Sequence, residues 1–113
     1  MRPRRILLVD SDRACANALV AILRQQGDSV RVAHTRAAAL AAIRHESFDL
    51  AVVDLFLRGG GAELARELKR HVPDLWLTLG SRLSTEEILE AVLGFPVHAK
   101  GALPAALSSR GTA

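Results

Sequence analysis

At 113 residues and 12.1 kDa the chain has the size of one domain, long enough to bury a core of its own. Half of its residues are apolar and 24% are charged, a balance that excludes a disordered segment. Fifteen Lys and Arg against twelve acids leave a net charge of +3, and the arginines are dispersed rather than striped. With Phe48, Phe56, Trp76 and Phe95 as the whole aromatic set there is little to stack bases on, which argues against direct nucleic-acid binding.

In chain order, Ile6-Leu7-Leu8-Val9 is a continuous apolar run that ends in Asp10, the pattern of a strand buried on both faces. Leu19, Ile22 and Leu23 follow at helical spacing, and Gly27 stops that helix. Ser29 to Ala33 alternates as a half-exposed edge strand does. Thr35 is placed to cap an Ala-rich helix that carries Leu40 and Ile43. Phe48 to Val53 is a second buried run, and it too ends in an aspartate, Asp54. Gly59-Gly60-Gly61 opens a loop, after which Leu64, Leu68 and Val72 mark a third helix before Pro73. Leu75 to Leu79 reads as a strand. Ser84-Thr85-Glu86-Glu87 is a capping box that opens a helix through Leu93. Val97 to Lys100 is a short last strand, and the stretch 103–110 makes a short or truncated final helix.

Strand and helix thus alternate about five times, with each helix a crossover between parallel strands. The expected fold is α/β: a doubly wound, five-stranded parallel sheet with helices on both faces, for which the order 2-1-3-4-5 is borrowed from known flavodoxin-like folds rather than derived. One domain covers 1–113. Ligands of such sheets sit beyond the carboxyl ends of the strands where strand order reverses, between strands one and three. Those are the strands that end in Asp10 and Asp54.

No apolar run approaches the ~18 residues of a membrane span. Arg2 to Arg5 followed by Ile6 to Val9 is too short for a signal peptide, and the lone Cys15 closes no internal disulfide. The expected location is the cytoplasm. His34, His45, His71 and His98 have no metal-ligand spacing and read as surface or helix-end residues. The glycine run lacks the Lys-Ser/Thr of a P-loop and reads as a plain loop.

Two carboxylates at adjacent strand ends repel each other unless a proton or cation lies between them. Mg²⁺ suits such a pair, because it takes oxygen ligands and keeps several waters. A carboxylate can also attack a phosphoryl group to form an aspartyl phosphate, and Lys100 at the end of the last strand supplies a cation from across the site. The pair with this lysine points to phosphate-linked chemistry.

Ile6 to Asp12, Phe48 to Leu57 and the strand-end Lys100 resemble the receiver domain of two-component response regulators, over essentially the whole chain. The resemblance implies a signalling domain rather than an enzyme, with Asp54 as phosphoacceptor from a histidine kinase or phosphotransfer protein. It implies Mg²⁺ held by Asp10, Asp54 and the backbone carbonyl of Phe56, and Lys100 paired with phosphoryl oxygens. Several positions depart from the pattern. Ser11 stands where a second acid is usual, so it would be a weak metal ligand. Arg58 replaces a proline, and Gly80 takes the place of the switch hydroxyl, leaving Ser81 or Thr78 as candidates. Val97 stands where an aromatic is usual, and Gly101 follows the lysine in place of proline. These departures leave open a pseudo-receiver that works as a protein-interaction module without phosphate. A homodimer or an output domain would dock through the region 84–109. Asp10-Ser11-Asp12 is also similar to the opening of haloacid-dehalogenase-type phosphohydrolases, with Asp10 as nucleophile and Asp12 as acid/base, although Arg13-Ala14-Cys15 lacks that family's Thr.

Overall fold

The computed structural model describes residues 2–79, 97–99 and 107. Five strands, β1 (Arg5–Val9), β2 (Ser29–Ala33), β3 (Leu50–Asp54), β4 (Asp74–Leu79) and β5 (Val97–Ala99), alternate with helices α1 (Arg13–Gln25), α2 (Arg36–His45) and α3 (Gly61–Lys69). All strand pairs are parallel, and the order is β2-β1-β3-β4-β5, with β5 adding three residues beside Leu77 to Leu79. The chain is thus a flavodoxin-like α/β fold.

The unbroken apolar runs of β1 and β3 exist because both faces of the sheet are covered. Leu7 and Val9 share one core with Ala51 and Val53 of β3, Ala39 of α2, and Leu64, Ala65 and Leu68 of α3. Ile6 and Leu8 face the other way, into a second core with Leu50, Val52, the α1 residues Ala16, Val20 and Leu23, and Leu107. The period-2 alternation of side chains assigns neighbours in one strand to opposite layers. Each fully buried Leu or Ile contributes roughly 1.5–3 kcal/mol of transfer free energy. β2 sits at the edge, and there Ser29 and Arg31 are exposed while Val30 and Ala33 are buried.

Capping fixes where two helices start. Asp12 caps α1 by accepting from the Cys15 amide at 3.1 Å, and Thr35 caps α2 by accepting from the Ala38 amide at 3.1 Å. α1 ends before Gly27, whose φ of 90° lies in the left-handed region that glycine tolerates. The buried stripe of α1 is Ala16, Val20 and Leu23, with Leu19 packed beside it, whereas Ile22 is exposed. Successive helical residues turn by about 100°, so Ile22 falls outside the stripe that Ala16, Val20 and Leu23 share. The strand expected from Leu75 begins one residue earlier, at Asp74.

At the amino-terminal edge Asp28 is fully buried and receives two hydrogen bonds from Arg4, at 3.3 and 3.1 Å. The same guanidinium donates to the Leu107 carbonyl at 2.9 Å, tying the start of β1, the turn before β2 and the C-terminal segment together. The capping-box helix expected from Ser84 and most of the final helix lie outside the described residues. Among the described residues no helix is long and apolar enough to cross a membrane.

Candidate functional site at the carboxyl ends of β1 and β3

Val9 and Val53 are the last register partners of β1 and β3, so Asp10 and Asp54 leave the sheet side by side. Both are buried, at 4% and 5% exposure, although they are acids at strand ends. The two turns are built alike. Asp10 Oδ1 accepts from the Asp12 amide at 2.9 Å, and Asp54 Oδ1 accepts from the Phe56 amide at 3.0 Å. Each carboxylate therefore organises its own turn by reaching two residues ahead.

Further backbone bonds hold the pair from its neighbours. The Asp10 amide donates to the Ala33 carbonyl at the end of β2, at 3.0 Å. The Asp10 carbonyl lies 2.9 Å from His34 Nδ1. A carbonyl only accepts, so Nδ1 is the donor in this contact. On the other side the Leu55 amide donates to the Thr78 carbonyl at 3.0 Å. Gly61, the first residue of α3, presses directly on this turn: a Cβ there would overlap the Asp54 carbonyl oxygen and lie 2.6 Å from that of Leu55.

The remaining candidates are distributed unevenly. Thr78 is the register partner of Asp54 and is buried, with its hydroxyl donating to the Val53 carbonyl at 3.5 Å. Phe56 turns its ring outward, half exposed, while its amide serves Asp54. Ser11 is exposed and lines a groove with Asp12, Arg13, His34, Thr35 and Arg58. Asp12 is exposed too, and its carboxylate caps α1. Ser81, Gly80, Lys100 and Gly101 lie outside the described residues.

Two residues of the site were not legible as such in the sequence. His34, read as a surface or helix-end residue, is half-buried against Asp10. The signal available was its position directly after β2, the strand beside β1. Gly61 belongs to α3 and not to the loop, because only a residue without Cβ lets that helix start so close to the β3 turn.

Among the described residues no group of three or more His, Cys, Asp or Glu forms. The donors gathered are hard oxygens, those of two carboxylates, a set that fits Mg²⁺ completing its shell with water. A parallel α/β sheet with an acidic pair at its topological switch point defines a domain of the doubly wound class.

Comparison with known proteins gives the family. The family model described as the response regulator receiver domain matches residues 6–103. A response regulator receiver protein of Anaeromyxobacter sp. (strain Fw109-5) is 38% identical over 89 residues, 78% of this chain. The chain spans 37% of the length of that relative. Among solved structures, a CheY-like response regulator receiver domain protein from Methanospirillum hungatei JF-1 superposes with a TM-score of 0.77 at 31% identity, covering 93% of this chain and 87% of that one. A response regulator from Burkholderia pseudomallei, with a phosphorylated aspartic acid, calcium ion and citrate, superposes at 0.82 with 26% identity, over 94% and 65% of the two chains. The chain belongs to the response regulator receiver domain family, whose members are two-component signalling domains and not enzymes. The phosphohydrolase resemblance is thereby set aside, and the capping role of Asp12 agrees with that outcome.

Proposed function

We propose that this domain is a phosphorylatable receiver that takes a phosphoryl group on Asp54 from a histidine kinase or phosphotransfer protein and relays it by a change of conformation. The observation that carries the reading is the buried pair itself, two carboxylates side by side, each locked by the amide two residues on. A carboxylate oxygen of Asp54 attacks phosphorus, the P–N bond of the phosphohistidine breaks, and the imidazole leaves as a neutral ring after taking a proton. Mg²⁺ bound by Asp10, Asp54 and the Phe56 carbonyl would supply the positive charge that lets an anionic nucleophile approach an anionic phosphoryl group. Ser11 in place of a second acid makes that ion weakly held.

Lys100 pairs with the phosphoryl oxygens in this reading, and either Thr78 or Ser81 follows them as the switch hydroxyl. The bond from Thr78 Oγ1 to the Val53 carbonyl is at the long limit, which supports a hydroxyl that can exchange partners. The domain is proposed to comprise 1–113, act in the cytoplasm, and dock a partner, output domain or second copy through 84–109. The phosphorylated aspartate of the Burkholderia pseudomallei protein supports the acceptor role by similarity.

Incubation with acetyl phosphate and Mg²⁺ tests the chemistry directly. The intact mass should rise by one phosphoryl group in the wild-type chain, and the gain should vanish in Asp54→Asn. An unchanged wild-type mass would leave the alternative, a pseudo-receiver that binds its partner without phosphate.

A further inference from the structure

Beside the acidic pair, Ser11, Asp12, Arg13, His34, Thr35 and Arg58 form a groove of about 410 Å³, of which Arg13, Thr35 and Arg58 have no part in metal binding or in phosphoacceptance at Asp54. We propose that it is an anion subsite for a phosphate or phosphomonoester group, distinct from the phosphoacceptor.

The described arginines differ in whether a carboxylate neutralises them. Arg2, Arg4, Arg5, Arg31 and Arg36 are each committed to a carboxylate at 2.6–3.1 Å. Arg13, Arg24, Arg44, Arg58, Arg66 and Arg70 form no ion pair with the described residues, and of these Arg13 and Arg58 face one groove together. A second groove of similar size at the β2 edge shows the contrast. It is lined by Arg5, Arg24 and Arg31, but two of these are neutralised by the shared Glu46.

The surroundings add to the charge of Arg13 and Arg58. The helices α1 and α2 both begin at the groove, with Asp12 and Thr35 as caps, and neither has an acidic residue in its first turn. Their amino-terminal ends contribute positive potential there. The one acid on the lining, Asp12, is engaged as the α1 cap, so two guanidinium groups face a single carboxylate. Thr35 Oγ1 accepts from the Ala38 amide, which leaves its hydroxyl proton able to donate. Ser11 brings a second hydroxyl. His34 forms the wall, held by its bond to the Asp10 carbonyl. Guanidinium forks with hydroxyl donors match the oxygens of a tetrahedral phosphate.

The test is titration of inorganic phosphate into Mg²⁺-free Asp54→Asn protein, followed by amide resonances at constant ionic strength. Using that variant removes phosphoryl transfer from the experiment, so failure here and failure of the acceptor reading are separate results. Saturable shifts centred on Ser11, Arg13, Thr35 and Arg58 are expected. Arg13→Ala and Arg58→Ala should each weaken them roughly tenfold, the loss of one charge-assisted contact. Both side chains are exposed, and unchanged resonances elsewhere would verify the fold. Shifts that chloride reproduces, or that persist at equal affinity in both variants, would overturn the subsite and mark an adventitious ion only.

Discussion

Asp10 is bonded through its amide to Ala33, through its carbonyl to His34 and through Oδ1 to the Asp12 amide. Its backbone is thus held from β2, while its carboxylate is held by its own turn. His34→Ala removes the donor to the Asp10 carbonyl and should weaken Mg²⁺ binding several-fold in an amide-shift titration. His34→Asn, whose amide nitrogen can occupy the place of Nδ1, should restore most of the affinity. A merely structural contact would lower stability without that rescue. Asp49 makes a different contribution at the opposite end of the sheet. The Arg5 amide, donating to Oδ2 at 2.8 Å, is the main reason its carboxyl lies below the ordinary 3.8; burial acts against this, and Arg2 and Arg5 add to it. The Arg2 pair is mostly exposed and adds little. A depressed folded-state value means stability present above the unfolded value and lost as pH falls through the folded one. Asp49→Ala should therefore cost about 1 kcal/mol in urea denaturation at pH 7, and the gap to wild type should narrow below about pH 3.8. The two site aspartates were legible in the sequence because each ends an apolar run. His34 was not, because its partner is 24 residues away and only the pairing of β1 with β2 brings them together.

At the scale of elements, the turn between β3 and α3 is where sequence and packing are most tightly coupled. Gly59 and Gly60 adopt φ of 91° and 100°, so the chain reverses in two residues that tolerate the left-handed region. Gly61 is required for another reason: the carbonyls of Asp54 and Leu55 occupy the space a Cβ would need. Gly61→Ala must push α3 away from the site or displace the turn, and should destabilise the fold by on the order of 2 kcal/mol. The amides of Leu55 to Leu57 should shift in the same variant, because they lie on the displaced segment. A neutral effect on urea midpoint and on those resonances would contradict the packing described. The run of three glycines announced a turn, but not which of them belongs to the helix. That depends on how closely α3 approaches the sheet.

Over the whole molecule, two apolar layers meet at one parallel sheet, and the reversal of strand order falls between β1 and β3. Alternation of strands and helices made that architecture legible, since a parallel sheet covered on both faces requires the unbroken runs of β1 and β3. The acidic pair was legible for the same reason, because the topology places the ends of those runs together. The cationic groove was not, since Arg13 and Arg58 come from separate crossover turns and only the fold unites them. As proposed above, this receiver takes a phosphoryl group on Asp54. That proposal is tested most directly by titrating beryllofluoride, a phosphoryl mimic, into the wild-type chain with millimolar Mg²⁺ and following amide resonances. Saturable shifts around Asp10, Asp54 and Thr78 that require Mg²⁺ and disappear in Asp54→Asn are predicted. Resonances that stay in place with the metal and the mimic both present would contradict it.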